Sequence, residues 1–153
     1  MRLWHIDLIP YLPNSQLIAQ WRELNSIYKK QDKHILINYI YEYDKEHLYA
    51  YSWEVLLEMT KRGFKIKSME NLKQYFADVN KDKALYIAET HQTFERHHNM
   101  RYMMQCYYNL QEKFDRGQKD FTQEQMKALS KFYADEIIKD KFGRTSNDHY
   151  SRV

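Results

Sequence analysis

The stretch Pro13-Asn14-Ser15-Gln16-Leu17-Ile18-Ala19-Gln20-Trp21-Arg22-Glu23-Leu24-Asn25-Ser26-Ile27-Tyr28 decides the reading of the fold. Its apolar residues Leu17, Ile18, Trp21, Leu24, Ile27 and Tyr28 recur at three- and four-residue steps, the spacing of one face of an α-helix. Pro13-Asn14-Ser15 in front of them is a helix-start signal, because short polar side chains there satisfy the free amides of a first turn. Working outward, Lys33 to Tyr43 crowds Ile35, Leu36, Ile37, Tyr39, Ile40 and Tyr41 together; periodicity alone does not separate a buried strand from a buried helix, and a helix is the reading adopted. Glu46 to Arg62 carries the stripe Leu48, Val55, Leu56, Met59, ends on Lys61 and Arg62, and is followed by Gly63, which suits a left-handed cap. A shorter helix is expected from Ser68 to Phe76 and a longer helical region from Lys83 to Phe114, broken near Asn99 and stopped by Gly117. In the last segment, Thr122 with Gln125 makes a capping pair flanked by Phe121 and Met126, opening a helix that reaches Phe142. The expected fold is all-α, one compact domain over 1–143 of about five to six helices with no substantial sheet, followed by a polar, loosely ordered tail over 144–153.

Composition agrees with that class. Three glycines and two prolines in 153 residues leave little material for hairpin turns, and 43% hydrophobic content suffices for one buried core. The single Cys106 excludes an intramolecular disulfide and any zinc site built on several thiolates; it reads as a buried thiol in a reducing, cytoplasmic setting. No continuous apolar run opens the chain, so the reading is a protein that is neither exported nor membrane-spanning. A formal net charge of +3 permits attraction to phosphate without demanding it. Aromatic residues make up 16%, with 14 tyrosines, so stacking surfaces are available.

At 100° per residue, Arg22 and Glu23 fall off the apolar stripe of the first helix, on its opposite borders. Their neighbours three and four positions away are uncharged, so neither has a local ion-pair partner, although two solvated charges on a helix face would look the same. His91 and His98, two turns apart with Glu95 between them and His97 adjacent, invite a metal reading. Ligands held on one helix usually stand three or four residues apart, so no metal site is expected. Tyr107 and Tyr108 lie between Arg101 and Lys113, as in a strand-stacking surface, with core packing the competing reading.

The run Gln16-Leu17-Ile18-Ala19-Gln20-Trp21-Arg22-Glu23-Leu24 resembles the helix that carries the Arg-Glu pair of the phage pyrimidine-dimer DNA glycosylases, the endonuclease V type. Met1-Arg2-Leu3-Trp4-His5 with Asp7-Leu8-Ile9-Pro10 resembles the start of a bacterial branch of that family. Lys33-His34, Leu48-Tyr49-Ala50-Tyr51 and Glu58 to Ile66 extend the likeness over roughly the first seventy residues. The resemblance implies a cofactor-free and metal-free glycosylase and abasic-site lyase acting on double-stranded DNA with damaged pyrimidines, in a bacterial cytoplasm or a phage-infected cell. It implies that an α-amine attacks the anomeric carbon, that Glu23 assists as acid and base, and that Arg22 and Arg2 hold phosphates, with Lys33, His34 and Lys113 as further DNA contacts. An α-amine suits the task because its ordinary pKa, about 7.7 to 8, leaves far more of it neutral than a lysine near 10.4. The phage enzymes expose a processed threonine, whereas Arg2 here is too bulky for ordinary methionine removal, so the nucleophile becomes the Met1 α-amine, with His5 and Lys33 as reserves. Two alternatives stand beside this reading: a DNA-binding helical module whose chemistry has decayed, and an interaction bundle using Met103, Met104 and Tyr107.

Overall fold

The computed structural model describes residues 1–143; the tail over 144–153 lies outside the described residues. Among the described residues the regular structure is six α-helices with short 3-10 and π turns and no strand, so the chain is all-α as its sequence reads. Contacts gather it into two compact units, Met1–Asn99 and the segment from Met100 onward.

In the first unit a 3-10 turn, Ile6–Tyr11, leads into α1, Asn14–Lys30. A second 3-10 turn, Asn38–Glu42, precedes α2, Lys45–Lys61, followed by α3, Glu70–Tyr75, and α4, Lys81–Glu89. Helix α2 is the centre of this unit, packed by α1, α4 and the first 3-10 turn, while α1 also packs on α3. The α1 stripe does what its spacing requires: Leu17, Leu24 and Ile27 are fully buried. Each such side chain contributes about 1.5–3 kcal/mol of transfer free energy.

Local details depart from expectation for identifiable reasons. Pro13 itself is the N-cap of α1, and Asn14 is the first helical residue; its Oδ1 accepts from Arg62 Nη1 at 3.0 Å. The segment after α1 is not the expected helix. The Asp32 carboxylate accepts the His34 amide at 3.0 Å and His34 Nδ1 accepts the Leu36 amide at 3.2 Å, so side chains take amides that a helix would use. Ile35 is consequently 80% exposed while Ile37 and Ile40 are buried. At the end of α2, Gly63 at φ 88° lets its own amide reach the Thr60 carbonyl and that of Phe64 reach Met59, the paired bonds of a Schellman cap.

The expected helical region over Lys83 to Phe114 is interrupted well before Asn99. Helix α4 ends at Glu89, and His91 and Phe94 take left-handed backbone conformations at φ 55° and 50°. Burial wins over propensity here: Phe94 is fully buried among Tyr39, Tyr43, His47 and Tyr51, and its amide donates to His47 Nδ1 at 3.0 Å. His91 and His98 therefore do not share a helix face, which removes the geometric premise of the metal reading.

The second unit pairs α5, Met100–Asp115, with α6, Gln123–Ile138, which continues as one wide turn, Lys139–Gly143. Cys106, Leu110 and Leu129 are fully buried there. Tyr107 is buried and stacks on Tyr133 at 3.9 Å, so it belongs to this core and not to a stacking or partner surface; Met103 is buried as well, whereas Met104 and Tyr108 are exposed. The capping box read from the sequence is present: Thr122 Oγ1 accepts the Gln125 amide at 3.1 Å and Gln125 Oε1 accepts the Thr122 amide at 2.8 Å. Thr122→Ala is expected to cost about 1 kcal/mol of stability, read as a lowered urea midpoint with unchanged m.

Candidate active site

Helix α1 presents Gln20, Arg22 and Glu23 within one turn, and the N-terminal segment runs alongside it. The side chain of Gln20 is fully buried, which for an amide requires every polar atom to find a partner. Its Nε2 donates to the Arg2 carbonyl at 3.1 Å and to Glu23 Oε2 at 3.1 Å. Its Oε1 accepts the Trp4 amide at 2.8 Å and the Tyr51 hydroxyl at 3.0 Å. The Tyr51 proton is shared, since the same hydroxyl lies 2.6 Å from the Trp4 carbonyl. One side chain thus joins residues 2 and 4 of the N-terminal segment to the catalytic candidate Glu23, with Tyr51 of α2 behind it.

Glu23 is half-buried, and this burial pushes its carboxyl above the usual carboxylate range. The positive charges of the Met1 α-ammonium and of Arg22 pull in the opposite direction and only partly offset that shift. The first residue and Glu23 are therefore near enough to act on one another electrostatically. Arg22 is exposed, and the Arg2 guanidinium sits over the Trp4 ring at 5.9 Å from its centroid. The Met1 α-ammonium and Arg22 thus act on Glu23 near the middle of α1, and the Arg2 backbone is joined to the same point through Gln20.

The other candidates lie elsewhere. Lys33 and His34 are exposed but follow the C-terminus of α1, so even Lys30 stands roughly 10 Å along the axis from Glu23. Lys113 belongs to the second unit, in the last turn of α5. His5 is an interior ring: its Nδ1 accepts the Asp7 amide at 3.1 Å, and it faces His98 with centroids 5.3 Å apart. His98 is buried in turn, accepting the Ile6 amide on Nδ1 at 3.0 Å, which leaves the ring proton on Nε2, 2.6 Å from the Tyr39 hydroxyl. Burial lowers both imidazoles below the ordinary histidine range, His98 strongly. Arg62 completes the attachment of the N-terminal segment, donating to the Leu12 carbonyl at 2.7 Å and the Pro10 carbonyl at 3.1 Å while Glu58 holds its Nε at 2.8 Å.

Gln20 and Tyr51 are side chains of this candidate site that the sequence reading did not single out. A signal was present for Gln20: at 100° per residue it falls inside the apolar stripe, between Leu24 and Ile27, where an amide needs a reason. No helix among the described residues is long and apolar enough to cross a membrane. A family model described as pyrimidine dimer DNA glycosylase matches residues 1–77, just over half of the chain and the part that carries Met1, Arg2, Gln20, Arg22, Glu23 and Tyr51. Comparison with curated proteins and with solved structures gives no match.

Proposed function

The chain belongs to the pyrimidine dimer DNA glycosylase family, and from that premise we propose that it excises damaged pyrimidines from double-stranded DNA and cleaves the resulting abasic site by β-elimination. The observation that carries this reading is that the half-buried Glu23 carboxyl lies within electrostatic reach of the Met1 α-ammonium and is tied through Gln20 to the Arg2 carbonyl. In the proposed reaction the neutral Met1 amine attacks the anomeric carbon, and the bond from that carbon to the base breaks with its electron pair leaving on the base, which takes up a proton. Loss of a proton and opening of the sugar ring give a protonated imine. A base then removes a proton from the neighbouring carbon, the 3′ carbon–oxygen bond breaks, and the strand is cut. Water releases the amine.

Glu23 takes the proton lost on ring opening and the one removed from the neighbouring carbon. A carboxylate whose proton affinity is raised by burial is a stronger base than one in water, and within reach of the amine it is positioned to take protons from the bound sugar. Arg22 supplies positive charge beside it, and Arg2, whose guanidinium lies over Trp4, adds a second cation for phosphates of the distorted strand; Lys33 and His34 would meet the backbone further along. Positioning and proton transfer by this chain's own groups account for the proposed chemistry without a cofactor.

The test is borohydride trapping with duplex DNA containing an abasic site. The expected result is a covalent adduct at Met1, located by peptide mass. DNA binding with no adduct would overturn the imine route and leave a binding module.

A further inference from the structure

We infer that Gln20 is the positioning residue of this site, clamping the N-terminal segment at residues 2 and 4 so that the Met1 α-amine is kept within reach of the Glu23 carboxylate; the inference rests on the proposed imine chemistry for its purpose. The orientation of the amide is fixed by its partners. A backbone amide only donates and a carbonyl only accepts, so Oε1 must face Trp4 and Nε2 must face Arg2. The second Nε2 proton then necessarily points to Glu23 Oε2.

The clamp is placed where it has most effect. Between the Arg2 carbonyl and the Met1 nitrogen only three soft backbone rotations remain, those about the two single bonds at Arg2 and one at Met1. A free N-terminus is ordinarily among the most mobile parts of a chain. Here its last fixed point is a fully buried amide that also holds the acid-base group, so nucleophile and carboxylate share one reference frame. Tyr51 supports the same amide from α2, and its hydroxyl ties the Trp4 carbonyl.

The inference is tested by carbon-13 titration of the full chain, following the Glu23 carboxyl carbon and the Met1 α-carbon. In the unmodified protein the Met1 α-carbon shift is expected to carry an inflection at the Glu23 midpoint. In Gln20→Met, which fills the volume without polar atoms, the inflection is expected to vanish and the Glu23 midpoint to rise, because a donor to the charged carboxylate is lost. Gln20→Glu keeps the size and the acceptor for Trp4 but removes both donors, and serves the same comparison if the methionine variant does not fold. Ser52→Ala removes a buried hydroxyl that accepts from Tyr28, outside this network, and is expected to lower Tm while leaving the inflection in place.

An inflection absent from the unmodified protein, or retained in the Gln20 variants, overturns the inference. On abasic DNA the single-turnover trapping rate of the Gln20 variants is expected to fall about 10²-fold with DNA affinity unchanged. Failure of the unmodified protein to trap DNA sinks the proposed activity alone, since the titration needs no substrate.

Discussion

Glu23→Gln is expected to abolish strand cleavage on abasic duplex DNA, by about 10²- to 10⁴-fold, while DNA affinity stays within a factor of two or so. The amide matches the carboxylate in shape and still offers Gln20 Nε2 an acceptor, so the N-terminal segment keeps its attachment. What disappears is the capacity to take and return a proton. Stability should move the other way. Burial raises the folded-state pKa of Glu23, so the folded protein binds its proton more readily than the unfolded chain does. The contribution of that group is therefore favourable below the ordinary carboxylate pKa and is lost as pH rises through the raised one. At neutral pH the unmodified protein carries the whole cost of a half-buried charge, and the glutamine variant carries none. Its Tm should equal or exceed that of the parent at pH 7, with the difference closing towards pH 4. Cleavage at the parental rate would remove Glu23 from the mechanism, and a Tm well below the parent at pH 7 would mean that attraction to Met1 and Arg22 outweighs desolvation.

The second large effect is a loss of stability in mild acid. His98 has its Nδ1 lone pair committed to the Ile6 amide, so a second ring proton would face a donor inside the protein. Burial, helped by the neighbouring rings of His5 and His97, holds its pKa well below the ordinary histidine range, and His5 is lowered by burial against an opposing pull from Asp7. The unfolded chain, with histidine near 6.5, then binds more protons than the folded one at pH values below that point. Stability is complete above about pH 6.5 and falls as the pH drops towards the folded-state values, with a limiting slope of about 1.4 kcal/mol per pH unit for His98. His47, also lowered by burial but half-exposed, adds a smaller amount of the same sign. The raised pKa of Glu23 contributes with the opposite sign nearer the carboxylate range and moderates the slope there. Urea unfolding at several pH values from 7.5 to 5 measures this directly. A flat profile would mean that His98 charges without disturbing the Ile6 amide.

The parts of this molecule that were legible in its sequence are those where one rule acts alone. Leu17, Leu24 and Ile27 at helical spacing, Gly63 after Lys61 and Arg62, and Thr122 ahead of Gln125 each state a local preference that nothing in the tertiary structure opposes. The misread segments are those where distant groups intervene. The run from Ile35 to Ile37 is held in a turn by the side chains of Asp32 and His34, and the backbone at Phe94 is bent by its burial beneath residues 39 to 51. In the site, Arg22 and Glu23 could be read because they lacked local partners and sat in a run resembling a known family. Helical spacing marks Gln20 only as an amide on the apolar face; which partners it takes, and the part played by Tyr51, lie in contacts to residues 2 and 4 that no spacing rule expresses.

The attachment of the first dozen residues has a consequence for biosynthesis. Arg2, Trp4, Ile6, Pro10 and Leu12 are held by Gln20, Tyr51, Arg62 and His98, groups that leave the ribosome later than the residues they secure, His98 by 92 positions after Ile6. These residues are made before their partners and acquire their shape only after them. In a growing chain residues 2 and 4 can therefore be fixed once the stretch through Tyr51 has folded, whereas Ile6 waits for the stretch that ends at His98.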